Sequence, residues 1–544
     1  MTGPRVIQAP LGATVPAATI VFCLSVLLAA PSVFWLDSGN LVASAWTMGL
    51  AHPPGEPLWL ALARIAQLIP IGDIAFRTSL LSALCLAVCV FPLVMLLQLV
   101  EGGAGGSRRL QLLSVGLVVI ALVGFSAQLQ AGRPEVYSMT TLLLSLALLA
   151  AVLGGLRSWA FVGLFLGLGI GLHPLLCAAA TPALLLALVL RPVQVRALVP
   201  RRGHLVAGVL GGLAGLGVLA WLPLRAVANP AAAWGVPDTA ERFVDVLLAR
   251  NFSRNFGGDS SSFFDNSGVI VDVWLGTLLP VLLVLLLLPL LRRERIGRRA
   301  GVWAGVVVLW MIGNASTILP QNKVFSSNPD LHGYLLIGAL GVLPLAYLGL
   351  RSVPRWSGAL VGLVLLLQVG QGLKTCAADN FLARTFATAQ AAGLPSGATL
   401  MTSGNDTAFI WTYLQRVERR RVDLTLIHRV LVGHENELLR LGGREELQAR
   451  GLSWEPSLRD RPVDQLGGAE RAFFIERREA ERTAIMEGSL VRHGLMASSS
   501  SGDDRWLVAV RAAVVNEFQE PSLAFDTEAR LVLSYYLELW REGR

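Results

Sequence analysis

Charged residues are scarce in this chain, and this scarcity limits the classes of protein to which it can belong. Only 15% of its 544 residues are Asp, Glu, Lys or Arg, whereas 54% are hydrophobic. A water-soluble domain of this length carries about a quarter charged residues. The deficit falls on residues 15–372, because residues 375–544 have an ordinary globular composition. This distribution excludes a wholly water-soluble protein.

Lysine and cysteine are scarce as well. Lysine occurs only at Lys323 and Lys374, so arginine carries almost all of the positive charge behind the formal net charge of +8. The arginines form no basic stripe with interleaved aromatic residues, so we expect no nucleic-acid partner. Four of the five cysteines lie inside apolar runs and none belongs to a paired loop motif, which predicts neither disulfides nor a zinc site. Walker A and dinucleotide-binding motifs are also missing, so we expect no cofactor and no nucleotide-driven pump.

Long apolar runs predict a polytopic α-helical membrane protein. Runs of about 20 apolar residues match the thickness of a bilayer, and backbone groups in lipid have to pair within their own helix. The first run is long for a secretory signal peptide, so we expect an uncleaved first span. We predict about eleven transmembrane helices, at residues 15–35, 74–100, 110–128, 136–156, 158–172, 175–190, 204–224, 269–291, 301–320, 332–350 and 356–373.

Arginine-rich loops alternate with arginine-poor loops along residues 1–373, the predicted transmembrane domain. By the positive-inside rule, the N-terminus and the arginine-rich loops lie in the cytoplasm. The long loops 36–73 and 225–268 and the soluble domain 374–544 are then external. The arginine-rich composition suggests a bacterial source, which predicts an inner-membrane protein with a periplasmic C-terminal domain.

Short helices and strands are predicted in the external regions. Loop 36–73 contains helix-like stretches at Asn40–Leu50 and Leu58–Ile69, and loop 225–268 contains one at Thr239–Phe252 before a Gly- and Ser-rich run. The C-terminal domain is predicted to be α/β. Its predicted strands are Thr399–Thr402, Val422–Ile427, Ala472–Ile475 and Trp506–Val510, and its predicted helices are Thr407–Val417 and Thr527–Glu542.

The polar residues of the membrane region gather on one face of the bilayer. Polar groups at membrane depth are costly and usually mark a functional site, although residues at loop ends can simply be solvated. A functional site with both signs of charge is the better explanation for the group as a whole. Its members are Asp37, His52, Arg133, Glu135, His173, Arg225, Asp238 and Lys323.

Asp37 stands out because it ends the first apolar run. A carboxylate at the water–lipid boundary is suited to act as a general base on a hydroxyl group. Asp37 can equally cap the helix that follows it. The other members have structural alternatives too, since Arg225 can snorkel at a helix end, Arg133 can pair with Glu135, and His173 can pack in a turn. Tyr137 and Trp234 can stack on a sugar or simply belong to the interfacial aromatic belt.

Several motifs resemble one family of GT-C-type membrane proteins, whose animal members are protein O-mannosyltransferases acting on plexin-type ectodomains. The similarity extends from the first external loop to the start of the C-terminal domain and covers most of the chain. The residues that carry it are Asp37-Ser38-Gly39-Asn40, Ala51-His52-Pro53-Pro54-Gly55, Gly72–Arg77, Glu135–Ser138, Gly171–His173, Leu222–Arg225, Asn229-Pro230, Trp234-Gly235 and Gly404–Thr407.

The resemblance implies a GT-C fold, a catalytic carboxylate in the first external loop and a polyprenyl-phosphate sugar as donor. Asp37 occupies the carboxylate position. Family members usually have Glu where this chain has Asn40, and Asn keeps the ability to donate and accept hydrogen bonds. The expected donor and phosphate ligands are Arg133, His173, Arg225 and Lys323, and the expected substrate ligands are Asn40, His52, Glu135, Tyr137, Asn229, Trp234 and Asp238.

The function expected from these observations is inverting transfer of a sugar, with mannose as the candidate, to an external hydroxyl. The acceptor is either a protein Ser or Thr or an envelope glycan. No second carboxylate lies close to Asp37 in sequence, so we expect no metal. Two alternatives stay open: a flippase or other transporter for lipid-linked sugars, and an inactive relative that binds an envelope partner. A transporter should place polar groups near the membrane midplane, whereas most spans here have apolar centres.

Overall fold

The computed structural model describes most of the first 428 residues and a few strands beyond them. The described residues are 11–428, apart from 101–106, 191–199, 229, 231–232, 235, 292–297, 327, 352–356, 379, 393 and 403–404, together with 473–476, 491–493 and 496–498. The predicted strand 506–510, the predicted helix 527–542 and the candidate ligand Asn229 lie outside the described residues.

The described residues are mainly helical, and the helices pack around one large apolar core. The first ten helices are α1 Leu11–Leu28, α2 Ser38–Trp46, α3 Pro57–Ala66, α4 Ile74–Val88, α5 Val90–Val100, α6 Arg108–Leu122, α7 Phe125–Ala131, α8 Tyr137–Leu153, α9 Leu156–Ile170 and α10 Pro174–Leu190. The next ten are α11 Arg202–Leu216, α12 Trp221–Val227, α13 Ala240–Leu247, α14 Ser260–Leu291, α15 Arg298–Ser316, α16 Pro329–Gly341, α17 Leu343–Arg351, α18 Ser357–Leu373, α19 Leu382–Ala392 and α20 Asn405–Arg416.

Some of these helices are long and apolar enough to cross a membrane. By length and composition three qualify among the described residues: Leu11–Leu28, Ile74–Val100 and Arg202–Val227. Two bent pairs raise the number to five, α6 with α7 at 68° and α16 with α17 at 43°. Six further apolar helices have 10–17 residues. The total of about eleven spans therefore stays a prediction.

The bend between α6 and α7 changes one predicted span. The sequence predicts a single helix over 110–128, but the helix ends at Leu122 and a new one begins at Phe125. Gly124 lies at the bend, against the side chain of Gln368. The second helix carries the buried polar residues Ser126, Gln128 and Gln130. The break thus places polar side chains where a straight apolar span would not.

The short helices of the loops predicted to be external begin at local sequence signals. Pro57 starts α3, and Asp73 caps α4 by accepting a hydrogen bond from the backbone N–H of Phe76 at 2.8 Å. Helix α13 starts after Thr239, which caps it, and a 3-10 helix follows at Arg250–Asn255. The Gly- and Ser-rich run that follows this region is partly helical, because α14 already begins at Ser260.

A five-stranded sheet follows the membrane region. Its strands are β1 Thr399–Thr402, β2 Thr425–His428, β3 Phe473–Glu476, β4 Val491–His493 and β5 Met496–Ser498, arranged in the order β2-β1-β3-β5-β4. Strand β1 pairs in parallel with β2 and β3, whereas β5 pairs antiparallel with β3 and β4. The strand predicted at Thr399–Thr402 is confirmed residue for residue, and those predicted at 422–427 and 472–475 are displaced toward the C-terminus.

Helix α20 joins this sheet to α2, in the loop 36–73 that is predicted to be external. A methyl group on Gly39 of α2 would lie 2.3 Å from the carbonyl oxygen of Phe409 in α20. Only glycine permits so close an approach between the two helices. We call this contact the Gly39 seam. It brings the start of the C-terminal region against the helix that follows Asp37.

Candidate active site

Asp37 lies at the start of α2, where the sequence places it. Its side chain makes no capping hydrogen bond to the helix, so a capping role does not account for it. The side chain is 26% exposed, and its Oδ2 lies 3.4 Å from Nε2 of His52. The carboxylate is thus accessible on one side and held by the protein on the other.

His52 is held by Asn40. The backbone N–H of His52 donates to Oδ1 of Asn40 at 2.9 Å, and the ring Nδ1 lies 3.2 Å from the same oxygen. Asn40 is a buried residue of α2, and His52 lies in the segment between α2 and α3. The residue that departs from the family pattern therefore positions the histidine beside Asp37.

Glu56 joins this group although the sequence analysis did not single it out. Its Oε1 lies 3.3 Å from the same Nε2 of His52, and the side chain is 2% exposed. Burial, followed by the nearby Asp37 and Glu135, raises the pKa of Glu56 well above its ordinary value. Burial lowers the pKa of His52 to about 4, against a smaller opposing effect of Asp330.

Arg133 and two carboxylates form a buried ionic cluster next to this group. Its Nη2 donates to Oδ1 of Asp330 at 2.8 Å and to Oε1 of Gln130 at 3.1 Å. Its Nη1 lies 3.8 Å from Oε1 of Glu135. Nη1 and Nε of Arg133 have no hydrogen-bond partner, although the side chain is buried. The pairing of Arg133 with Glu135 that the sequence allowed is present, with Asp330 as the closer partner.

Glu135 is fixed from its backbone. Its carbonyl oxygen accepts hydrogen bonds from Nε1 of Trp59 at 3.1 Å and from Oγ of Ser82 at 3.0 Å. The Glu135 N–H is 3.1 Å from the same Ser82 hydroxyl. Helices α3 and α4 thereby position the loop between α7 and α8.

Tyr137 and His173 lie together in a ring cluster with Tyr334. The ring centres of His173 and Tyr334 are 4.6 Å apart, and those of Tyr137 and Tyr334 are 5.6 Å apart. Gly333 makes room for Tyr137, since a methyl group there would lie 2.3 Å from its ring. Because Asp330 and Tyr334 both belong to α16, this helix joins the ring cluster to the ionic cluster.

Three aromatic residues from distant parts of the chain surround His52. The ring centres of Trp234, Phe252 and Phe409 lie 6.1–6.4 Å from that of His52. Trp234 and Phe409 are buried and 5.2 Å apart. We call these three residues the aromatic wall. Their packing accounts for the position of Trp234 without a sugar.

Three other candidate residues lie apart from these clusters. Lys323 is exposed and pairs with Asp265 at 2.8 Å, and Asp238 pairs with Arg242 at 2.9 Å. Arg225 donates from Nε to the carbonyl oxygen of Met48, and its guanidinium lies over the ring of Trp221. Arg225 thus contacts the same loop, residues 36–73, that carries Asp37 and His52.

The site residues that sequence reasoning missed are Glu56, Asp330 and His332. Glu56 directly follows the Ala51–Gly55 motif, and Asp330 stands in the first turn of α16, so both had a local signal. His332 Nδ1 lies 2.8 Å from Oγ of Ser126, a pairing between residues 206 positions apart that no local pattern announces. Within the described ranges, no group of three or more His, Cys, Asp or Glu side chains could hold a metal ion.

Comparison with protein families and curated proteins supports the resemblance seen in the motifs. The model of the protein O-mannosyl-transferase TMEM260 N-terminal domain matches residues 37–197, beginning at Asp37. Mouse protein O-mannosyl-transferase TMEM260 is 32% identical over 117 residues, which cover 21% of this chain and 16% of the mouse protein. The chain thus aligns with about a sixth of that relative's length.

Two solved structures share the fold along nearly the whole chain. The crystal structure of ArnT from Cupriavidus metallidurans bound to undecaprenyl phosphate covers 91% of this chain and 99% of its own, with a TM-score of 0.55 and 13% identity. The apo structure of the same protein covers 90% and 98%, with the same TM-score and identity. The GT-C membrane fold expected from the motifs is confirmed.

Proposed function

We propose that this chain is a glycosyltransferase that moves a sugar from a polyprenyl-phosphate carrier to an external hydroxyl group. The observation that carries the proposal is Asp37, a partly exposed carboxylate beside His52 at the start of the segment that matches the TMEM260 domain. A GT-C membrane fold supports it, and so does the presence of undecaprenyl phosphate in the crystal structure of ArnT. Mannose is the candidate sugar, because the TMEM260 relatives are named as O-mannosyltransferases.

The proposed reaction is a single displacement at the anomeric carbon. The acceptor oxygen forms its bond to this carbon while the bond from the carbon to the phosphate oxygen breaks. Asp37 takes the proton of the acceptor hydroxyl, and polyprenyl phosphate leaves with the bonding electron pair. Attack opposite the leaving group inverts the configuration at the anomeric carbon.

The leaving phosphate needs a cationic partner, and Arg225 suits this role better than Arg133. Arg225 is partly exposed, and no carboxylate of the described residues lies within salt-bridge distance of it. Arg133 is buried between Asp330 and Glu135, which offset its charge. Because Nε and Nη1 of Arg133 have no hydrogen-bond partner, Arg133 stays a candidate for a transient contact with the phosphate. Lys323, paired with Asp265 on the surface, is the weakest of the cationic candidates.

The test is complementation of a host strain that lacks this gene. Mass spectrometry of external proteins and envelope glycans compares strains carrying the wild type, Asp37→Asn or Asp238→Asn at equal membrane levels. Asp238 provides the matched control, because it is a carboxylate of the other long external loop and pairs with Arg242. We expect the wild type and Asp238→Asn to restore a sugar modification and Asp37→Asn to abolish it.

The modified molecule then identifies the acceptor. Equal restoration by the wild type and Asp37→Asn would show that Asp37 is not the base, and transport of a lipid-linked sugar would then explain the modification. Failure of the wild type to restore any modification would favour an inactive relative that binds an envelope partner.

A further inference from the structure

Three ionisable side chains converge on a single nitrogen atom beside the proposed base. Nε2 of His52 lies 3.4 Å from Oδ2 of Asp37 and 3.3 Å from Oε1 of Glu56. The exposed fraction falls from 26% for Asp37 to 12% for His52 and 2% for Glu56. The three groups thus form a series from the accessible site to the protein interior.

The hydrogen bonds of Asn40 establish which ring nitrogen of His52 carries a proton. The backbone N–H of His52 donates to the side chain of Asn40 at 2.9 Å, so the receiving atom has to be the amide oxygen. Nδ1 lies 3.2 Å from this same oxygen. Because an amide oxygen only accepts hydrogen bonds, Nδ1 carries the hydrogen. In a neutral ring Nε2 is then an acceptor and faces two carboxyl groups.

A proton has to lie between these groups, and the surroundings of Glu56 indicate where. The Oε2 atom of Glu56 is buried without a hydrogen-bond partner. No Arg or Lys of the described residues lies within salt-bridge distance of Glu56. An ionised carboxylate in such a place would cost several kcal/mol. A protonated carboxyl group needs only one acceptor for its O–H, and Nε2 of His52 provides it.

The backbone of Glu56 favours the same interpretation. Its φ angle is 48°, in the left-handed region that side-chain-bearing residues seldom adopt. Glu56 stands at the start of α3 but does not cap it. The chain therefore keeps a strained conformation that directs the carboxyl group to His52 instead of to the helix.

We propose that Glu56 acts as a neutral carboxylic acid whose O–H donates to His52 Nε2, which makes Asp37 the ionised member of the trio. Glu56 is then a positioning residue, which fixes the ring of His52 and keeps a cation away from Asp37. Asp37 retains its basicity because no imidazolium stabilises its charge. This inference deepens the proposed function and rests on Asp37 being the base.

The pKa shifts agree with this distribution of protons. Burial raises the pKa of Glu56, and burial lowers the pKa of His52 to about 4. Asp330 faces His52 and opposes that shift, whereas Asp37 and Glu135 add to the shift of Glu56. Both shifts favour a protonated Glu56 and a neutral His52.

The test compares Glu56→Gln with Glu56→Ala in the purified full chain, with a polyprenyl-phosphate sugar as donor. Gln keeps a neutral hydrogen-bond donor for Nε2, so we expect turnover within about fivefold of the wild type, the equivalent of one ordinary hydrogen bond. Ala removes the donor and lets His52 move, so we expect a loss of about a hundredfold. The acid limb of the pH–rate profile should be the same in the wild type and Glu56→Gln.

The second measurement is infrared difference spectroscopy at pH 7, which does not depend on activity. The spectrum of the wild type minus that of Glu56→Gln should show the carbonyl stretch of a protonated carboxylic acid, and the same subtraction in the Asp37→Asn background should show it too. Absence of this band from the wild type would overturn the proposal. A shift of the acid limb to lower pH in Glu56→Gln would also overturn it, because removal of a charged neighbour would lower the pKa of Asp37.

The two measurements separate this inference from the proposed function. If Asp37→Asn remains fully active, the proposed general base is wrong, yet the infrared band still reports on Glu56. If Asp37→Asn is inactive and the band is missing, the transferase proposal stands and the neutral Glu56 is wrong.

Discussion

At the scale of single residues, the candidate residues form ion pairs that differ greatly in how much they contribute to stability. Arg133 is buried against Asp330 and Glu135, whereas Lys323 meets Asp265 at the exposed surface. A buried charge that loses its partner is strongly destabilised, but an exposed ion pair contributes little because water and salt screen it. The loss of an ion pair should therefore destabilise the protein strongly at Arg133 and only slightly at Lys323.

Replacement of Arg133 by Met should lower the free energy of unfolding by about 3–5 kcal/mol, because buried Glu135 and partly buried Asp330 lose their cation. Thermal unfolding of the detergent-solubilised protein measures the loss. Lys323→Met is the matched control and should change the free energy by no more than about 1 kcal/mol. Equal effects of the two substitutions would contradict the structural role assigned to Arg133.

At the scale of elements, the segment between α2 and α3 couples two opposite titrations. His52 has a folded pKa of about 4, below its ordinary 6.5, so its contribution is complete above pH 6.5 and is lost as the pH falls toward 4. Glu56 has a raised folded pKa, so its contribution is complete below about 4.5 and is lost as the pH rises. The two contributions offset each other in the wild type.

Single substitutions should make the effect of each titration on the pH dependence of stability measurable. Glu56→Gln should lose about 2 kcal/mol of stability between pH 7 and pH 5, because only the titration of His52 remains. His52→Gln should gain stability over the same change, because only the titration of Glu56 remains. Chemical denaturation at the two pH values measures both slopes relative to the wild type. Parallel slopes in all three proteins would show that neither side chain has a shifted pKa in the folded protein.

The Gly39 seam permits a prediction about packing between elements. Gly39→Ala places a methyl group against the Phe409 carbonyl oxygen, so α2 and α20 have to separate. We expect a loss of about 1–3 kcal/mol and faster proteolysis of the C-terminal region. Gly268→Ala is the control, since an added methyl group in this exposed part of α14 meets nothing within 4 Å. Because Ala has the higher helix propensity, Gly268→Ala should be neutral or stabilising, and the absence of any loss in Gly39→Ala would contradict the seam.

At the scale of the whole molecule, the predicted orientation can be measured directly. In a cysteine-free background, Ser261→Cys lies in the loop predicted to be external and Ser107→Cys lies beside the predicted cytoplasmic arginines. In intact cells or right-side-out vesicles, a membrane-impermeant maleimide should label position 261 and spare position 107. Both positions should react after the membrane is opened. Labelling at position 107 alone would show that the orientation in the membrane is opposite to the predicted one.

The sequence predicted the fold class and the residues near each motif better than it predicted helix bends and contacts between distant segments. Apolar runs, helix caps and family motifs were sufficient for α2, α3 and strand β1, because these signals are local. The bend after Leu122 was missed because no proline marks it. Asp330 was missed because its partner Arg133 is 197 positions away, and the burial that gives their contact its importance is a property of the folded chain.

The aromatic wall and the Gly39 seam limit how parts of related proteins can be combined in chimeras. The match to the TMEM260 domain ends at residue 197, yet Trp234, Phe252 and Phe409 pack around a histidine inside it. A chimera that joins this amino-terminal part to the remainder of another member would set foreign side chains against His52. Such a hybrid would need matched substitutions on both sides of the junction, and compatibility at these few contacts would limit which halves can be combined.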